Sequence, residues 1–407
     1  MSVIPFISAA KIAGLSTTTF SSLKTTSIAA FSTTQLAVLN ADQVNALTST
    51  ALQYLATAQL QAISSTTMGG LIEAQIQAFT TTQITELTST QVSALTATEI
   101  GALSSTELQN LSTTQANALT ATQIGSLSTT VLNDLTTTQV AALTTTQVQG
   151  LTTTQLSALS ADNLGALDVT KLGTEQTAGL STTVIGNLTT TQVAALTATE
   201  VAALNASQIG QLTTTELQNL STTQANALTA AQIGSLSTTV LNNLTTTQVA
   251  ALTTTQAQGL YWAQLNGLST DNLNALDVAQ LLPVQMVGLN TTTIANLTST
   301  QVGALTAAEI GALTVAGINR LTTTEIAAFT TAQAGGLTSD QIAGMTTTNF
   351  SALSSTSGIP GLSTSAIAGL TTTEIDSLTT TQGNAFVMAQ ISVMSIDVAS
   401  ALAALIQ

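Results

Sequence analysis

The chain has 407 residues, of which 44% are hydrophobic and only 6% charged, and its formal net charge is −15. With Lys and Arg numbering 4 in all, there is no cationic surface to neutralise phosphate, which argues against nucleic acid as a partner. The absence of Cys and His removes disulfides, thiolate nucleophiles, imidazole bases and the usual zinc ligands, and with them the common routes to catalysis.

An eight-residue register begins at Ile7 and runs through Leu15, Leu23, Phe31 and Leu39 to Leu167. It is plainest from Leu135 to Leu159, where Leu-Thr-Thr-Thr-Gln-Val-Ala-Ala is followed by Leu-Thr-Thr-Thr-Gln-Val-Gln-Gly and Leu-Thr-Thr-Thr-Gln-Leu-Ser-Ala. Numbered from the leucine, positions 2 to 5 spell the capping box Ser/Thr-x-x-Gln/Glu, and positions 1 and 6 are the N′ and N4 sites of a hydrophobic staple. One continuous helix is excluded, because eight residues at about 100° each turn the apolar stripe by roughly 80° per repeat. A continuous strand would point positions 1 and 6 to opposite faces. The octad therefore predicts an all-α solenoid of very short capped helices, one per repeat. Thr, Val and Ile also favour strands, so a β-solenoid is the alternative. A single octad cannot fold alone: burying its apolar side chains supplies roughly 4–6 kcal/mol, whereas ordering it costs about 10 kcal/mol or more.

Residues 167–179 form a unit five residues over length, and 276–288 form another. The text around them repeats with an offset of 109 residues, so that Glu107-Leu-Gln-Asn-Leu-Ser-Thr-Thr-Gln recurs at Glu216. The longer units are expected to correct superhelical twist or to bulge towards a neighbour, with the bulge slightly favoured. A nine-residue unit follows at 353–361, and the three prolines, Pro5, Pro283 and Pro360, fall at the start or in irregular units. No internal linker is evident, which predicts one continuous solenoid over 1–407 with apolar termini, 1–14 and 386–407, as assembly ends. Thr and Ser interrupt every octad, so no run is long enough to span a bilayer.

Isolated polar residues have simple explanations. Glu99, Glu107, Glu200, Glu216, Glu309, Glu325 and Glu374 occupy position 5, where capping accounts for them, and Asp162, Asp271 and Asp340 suit a first helical turn. Asp168 and Asp277 open the two longer units at equivalent places. They are the metal candidates, with calcium the ion to test, although only the first unit adds another acid, Glu175. No other cofactor is expected. Tyr261 and Trp262 replace cap residues and stand where the duplicated copy has Thr152 and Thr153. Ile4, Phe6, Ile7, Tyr261, Trp262, Leu402, Leu405 and Ile406 are the candidates for contact between copies.

The Leu-Thr-Thr-Xaa-Gln-Val-Xaa-Ala octads resemble those of the Thr/Ala-rich repeat proteins of bacterial surfaces and matrices. The likeness covers nearly the whole chain and carries over no functional residue. It implies a structural role of the adhesin or surface-layer kind. The expectation is a non-enzymatic, extracellular protein, exported without a cleaved N-terminal signal, that polymerises with itself into a fibre, sheath or layer. Cell-surface polysaccharide is a possible second partner, and the alternative function is recognition of a repetitive surface such as ice or a polysaccharide.

Overall fold

The computed structural model describes residues 4–407, which form 48 α-helices and three 3₁₀ turns. No strand occurs among the described residues, so the β-solenoid alternative falls. Two compact lobes, Met1–Ala203 and Leu204–Gln407, make up the chain. Each is an all-helical solenoid in which a helix packs on the third helix along, as Ala121–Ser126 does on Thr145–Gly150 in the first lobe and Ala307–Ala312 on Thr331–Gly336 in the second. Every helix has four to six residues except the last, Ile396–Ile406, which has 11.

Local chemistry makes the helices this short. In the octad of Leu135, the N-cap Thr136 is extended (φ −69°, ψ 155°). Its hydroxyl accepts from the Gln139 N–H at 3.2 Å, and its own N–H donates to Gln139 Oε1 at 2.8 Å. The capping box thus closes as the spacing requires. Leu135 and Val140, at positions 1 and 6, are both buried. After a turn and a half the chain returns to extended backbone and the next Thr or Ser caps again.

Capping explains only half of the glutamine. Its amide nitrogen reaches the preceding coil: Gln139 Nε2 donates to the carbonyls of Leu108 at 2.8 Å and Leu111 at 2.9 Å, 31 and 28 residues earlier. Gln147, Gln155, Gln248, Gln256 and Gln341 repeat both spacings. The first of these carbonyls lies in the last turn of a short helix, where it also accepts from the C-cap N–H, as Leu108 does from Leu111, and the second lies just beyond the helix, where no intrahelical partner exists. One side chain therefore caps its own helix and binds the exposed carbonyls of the coil before it. The ladder begins with Gln35, bound to the carbonyls of Ile4 and Ile7. The octads before it carry Lys11, Thr19 and Ser27 at position 5.

Asparagine adds a second tie, at position 7. Asn133 Nδ2 donates to the Ala158 carbonyl at 2.8 Å, and its Oδ1 accepts from the Ser160 N–H at 2.8 Å. Asn45, Asn242, Asn266 and Asn319 make the same paired contact with the following coil.

The longer units neither bulge nor break the stack. Residues 167–171 form a five-residue unit containing the 3₁₀ turn Val169–Lys171, and Leu172 then opens an ordinary octad with Gln176 at position 5. Val169 and Leu172 are buried like any core position. Gln176 bonds to the carbonyls of Val148 and Leu151, 28 and 25 residues earlier, and Gln192 to Leu164 and Leu167 at the same spacings. Both spacings are three shorter than the usual pair, the amount by which a pentad falls short of an octad. The second lobe repeats this with the turn Val278–Gln280 and with Gln285 and Gln301. The expected extension is thus a contracted unit, and the number of elements per coil is kept. In 353–361, Ser357 takes the glutamine's place and its hydroxyl donates to the Phe329 carbonyl at 2.8 Å.

Candidate functional site

The position-5 glutamates serve as helix caps. Six of the seven position-5 glutamates are buried, Glu107 being less so. Each accepts from its cap N–H, as Glu200 does from Thr197 at 2.6 Å and Glu309 from Thr306 at 2.6 Å. A carboxylate cannot donate, so these positions keep the cap and forgo the glutamine's bonds to the coil before.

Asp168 and Asp277 each cap a 3₁₀ turn. Asp168 Oδ1 accepts from the Thr170 hydroxyl at 2.7 Å and the Thr170 N–H at 3.2 Å, and Oδ2 lies 3.4 Å from Lys171 Nζ. The hydroxyl of Thr170, helped by its N–H and by Lys171, holds the Asp168 carboxyl below the usual carboxylate range against the opposing effect of burial. Lys171 Nζ also donates to the Leu143 carbonyl at 2.8 Å. In the second copy Gln280 stands in place of Lys171. Its Nε2 donates to Asp277 at 2.9 Å, and its Oε1 is the one buried side-chain polar atom without a partner among the described residues. Glu175 is exposed on the helix that follows Asp168. No group of three or more His, Cys, Asp or Glu that could hold a metal occurs among the described residues.

The assembly candidates divide by burial. Ile4 and Leu402 are buried, so their apolar character is used within the chain itself. Ile7 and Leu405 are half-buried. Phe6 is 89% exposed and Ile406 also reaches solvent, as do Tyr261 and Trp262. Met1–Val3, part of the N-terminal assembly segment, lie outside the described residues. Sequence reasoning placed an assembly end at 386–407 but did not single out its most exposed side chains: Met388 and Ile396 are 79% and 80% exposed, and Val387 and Val393 are exposed near them in sequence. Met388 and Val387 fall at cap positions where Thr is the rule, and that was the available signal.

Tyr261 and Trp262 border an open cleft of about 420 Å³ in the second lobe. Its floor is Ala230, Gly234 and Gly259, and Leu282 and Val284 line it beyond the aromatic pair. The backbone N–H of Tyr261 still donates to Gln264 Oε1 at 2.7 Å, so the aromatic residue keeps that half of the capping box and gives up the bond that a Thr hydroxyl would accept.

No helix among the described residues is long and apolar enough to cross a membrane. A search among curated proteins returned no match. Residues 283–315 and 318–347 match the family model of the ALTTAQ repeat, so this part of the chain is similar to that repeat family.

Proposed function

We propose that this chain is a structural repeat protein that assembles with itself through apolar terminal surfaces. One observation carries the reading: the exposure of Val387, Met388, Val393 and Ile396 together in the last segment of the chain. Exposed apolar side chains concentrated in this way mark contact surfaces on soluble proteins. Phe6 supplies an exposed aromatic near the other terminus, and contacts between unlike ends that fail to close give filaments. Since the glutamine ladder starts only at Gln35, a copy packed on the first coil would be held by apolar contact. The role is non-enzymatic and extracellular, a reading that rests on the resemblance of the octads to Thr/Ala-rich repeats of bacterial surfaces.

Sedimentation velocity and negative-stain electron microscopy of the full chain test this. Large species or filaments are expected from the parent protein and their loss in the double variant Met388→Ser, Ile396→Asp. A parent protein that stays monomeric at high concentration refutes self-assembly, and one found wholly in the cytosol on cell fractionation refutes the location.

A further inference from the structure

The duplication within the chain provides an internal comparison for the cleft at Tyr261. From Glu107 to Leu151 the first copy matches Glu216 to Leu260 except at Thr122, Asp134 and Val148, which become Ala231, Asn243 and Ala257. Divergence then begins abruptly. The floor residues Ala230, Gly234 and Gly259 repeat Ala121, Gly125 and Gly150, but the walls do not: Thr152, Thr153, Gly173 and Glu175 become Tyr261, Trp262, Leu282 and Val284. All four changes replace small or polar side chains with large apolar ones, and all four converge on the same 420 Å³ cleft.

Both aromatic side chains are seated on glycine. A Cβ on Gly288 would lie 2.4 Å from Trp262 Cγ, and one on Gly234 would lie 3.2 Å from the Tyr261 ring. Those glycines have counterparts in Gly179 and Gly125, where a Thr153 methyl group fills the first seat. The indole and phenol thus each rest against glycine backbone while staying 54% and 64% exposed, open to a ligand. The lining carries no charge even though the chain as a whole has a formal charge of −15, and the one carboxylate of the first copy, Glu175, has become Val284. Apart from the Tyr261 hydroxyl, the exposed polar side chain of the lining is that of Gln258.

We propose that this cleft binds a neutral pyranose chain, the C–H faces of its sugars stacking on Trp262 and Tyr261 and their hydroxyls bonding to the Gln258 amide. Two exposed aromatic rings on an apolar, uncharged cleft with an amide and a hydroxyl in its lining suit such a ligand, which carries no charge of its own. The site shares no residue with the terminal surface proposed for self-assembly, so either reading can fail alone.

Trp262 is the only tryptophan, which makes intrinsic fluorescence a direct reporter. The full-length protein is titrated with cellohexaose, maltohexaose and xylohexaose, in parallel with Tyr261→Thr and Val284→Glu. Both variants restore residues that the chain already accepts at Thr152 and Glu175, so misfolding is not expected, and circular dichroism checks it. The expected result is a saturable change in Trp emission with at least one oligosaccharide, weakened by about tenfold or more in each variant. No change with any of the three at millimolar concentration overturns the proposal, as does binding that neither variant weakens. Emission that changes with protein concentration alone, together with dimerisation abolished by Tyr261→Thr, also overturns it and gives the cleft to a second copy of the chain.

Discussion

Replacing Gln147 by Leu separates the two tasks of the position-5 side chain. Gln147 is 2% exposed; its Oε1 accepts from the Thr144 N–H at 2.9 Å, and its Nε2 donates to the carbonyls of Ala116 at 2.8 Å and Leu119 at 2.7 Å. The Ala116 carbonyl keeps a bond from the Leu119 N–H, but the Leu119 carbonyl and the Thr144 N–H would be left without partners. The orphaned carbonyl of buried Leu119 costs about 1–3 kcal/mol and the lost bond to exposed Thr144 about 0.5–1.5 kcal/mol, so Gln147→Leu should lower local stability by about 1.5–4.5 kcal/mol. Thr144→Ala removes only the hydroxyl that accepts from the Gln147 N–H, a loss of about 1 kcal/mol. Hydrogen exchange read by mass spectrometry over residues 113–150 measures both. Gln147→Leu should speed exchange there by roughly 10-fold to 10³-fold, more than Thr144→Ala. Equal effects would mean that bonds between coils do not hold the stack and that local capping suffices.

Glycine substitutions should divide by sign. A Cβ on Gly336 would lie 2.1 Å from the Ala307 carbonyl oxygen, whereas one on Gly303 meets nothing within 4 Å. Thermal melts should show Gly336→Ala destabilised by about 1–3 kcal/mol and Gly303→Ala stabilised by about 0.5–1 kcal/mol. Gln280→Lys should restore the tie that Lys171 makes in the first copy and raise stability by about 1 kcal/mol in urea titrations. Inserting three residues after Thr170 should turn the pentad into an octad and leave the helical circular dichroism intact, while the same insertion after Gln147 should reduce it. Asp168 gives the chain an acid-side dependence. Because its folded-state carboxyl is held low, its bonds to Thr170 and Lys171 stabilise the fold above the usual carboxylate range and are lost as pH falls through the lowered value. Asp168→Asn should flatten that acid limb in urea midpoints measured across the range, and only slightly, since the side chain is 42% exposed and screened by solvent.

What the sequence displays is whatever closes within an octad. Thr136 and Gln139 are three residues apart, so their box can be read from spacing alone, and the burial of Leu135 and Val140 follows from it. The second bond of Gln139 leaves no such trace. Its partners are backbone carbonyls 28 and 31 residues away, neither spacing a multiple of eight, and a carbonyl has no side-chain identity. For the same reason Gln and Glu look interchangeable at position 5, although only Gln can donate. The pentad was legible in principle, since Leu172 and Gln176 already stand in octad register with Leu180, but counting from Leu167 hides it. At the cleft, identity flagged Tyr261 and Trp262, while Leu282 and Val284 come beside them only when the coils stack.

The ladder's indifference to side-chain identity bears on how such a gene changes length. Any octad ending in an extended leucine offers the same two carbonyls, so a segment can be copied or lost without matching partners having to co-evolve, provided that whole units move together. The 109-residue duplication meets that condition because its pentad travelled with its octads. Unequal recombination between near-identical repeats would then yield longer and shorter chains that still fold. Drift afterwards has been free to act on exposed positions such as 261 and 284, where a new surface arises while the bonds of the glutamine beneath it, Gln264, stay in place.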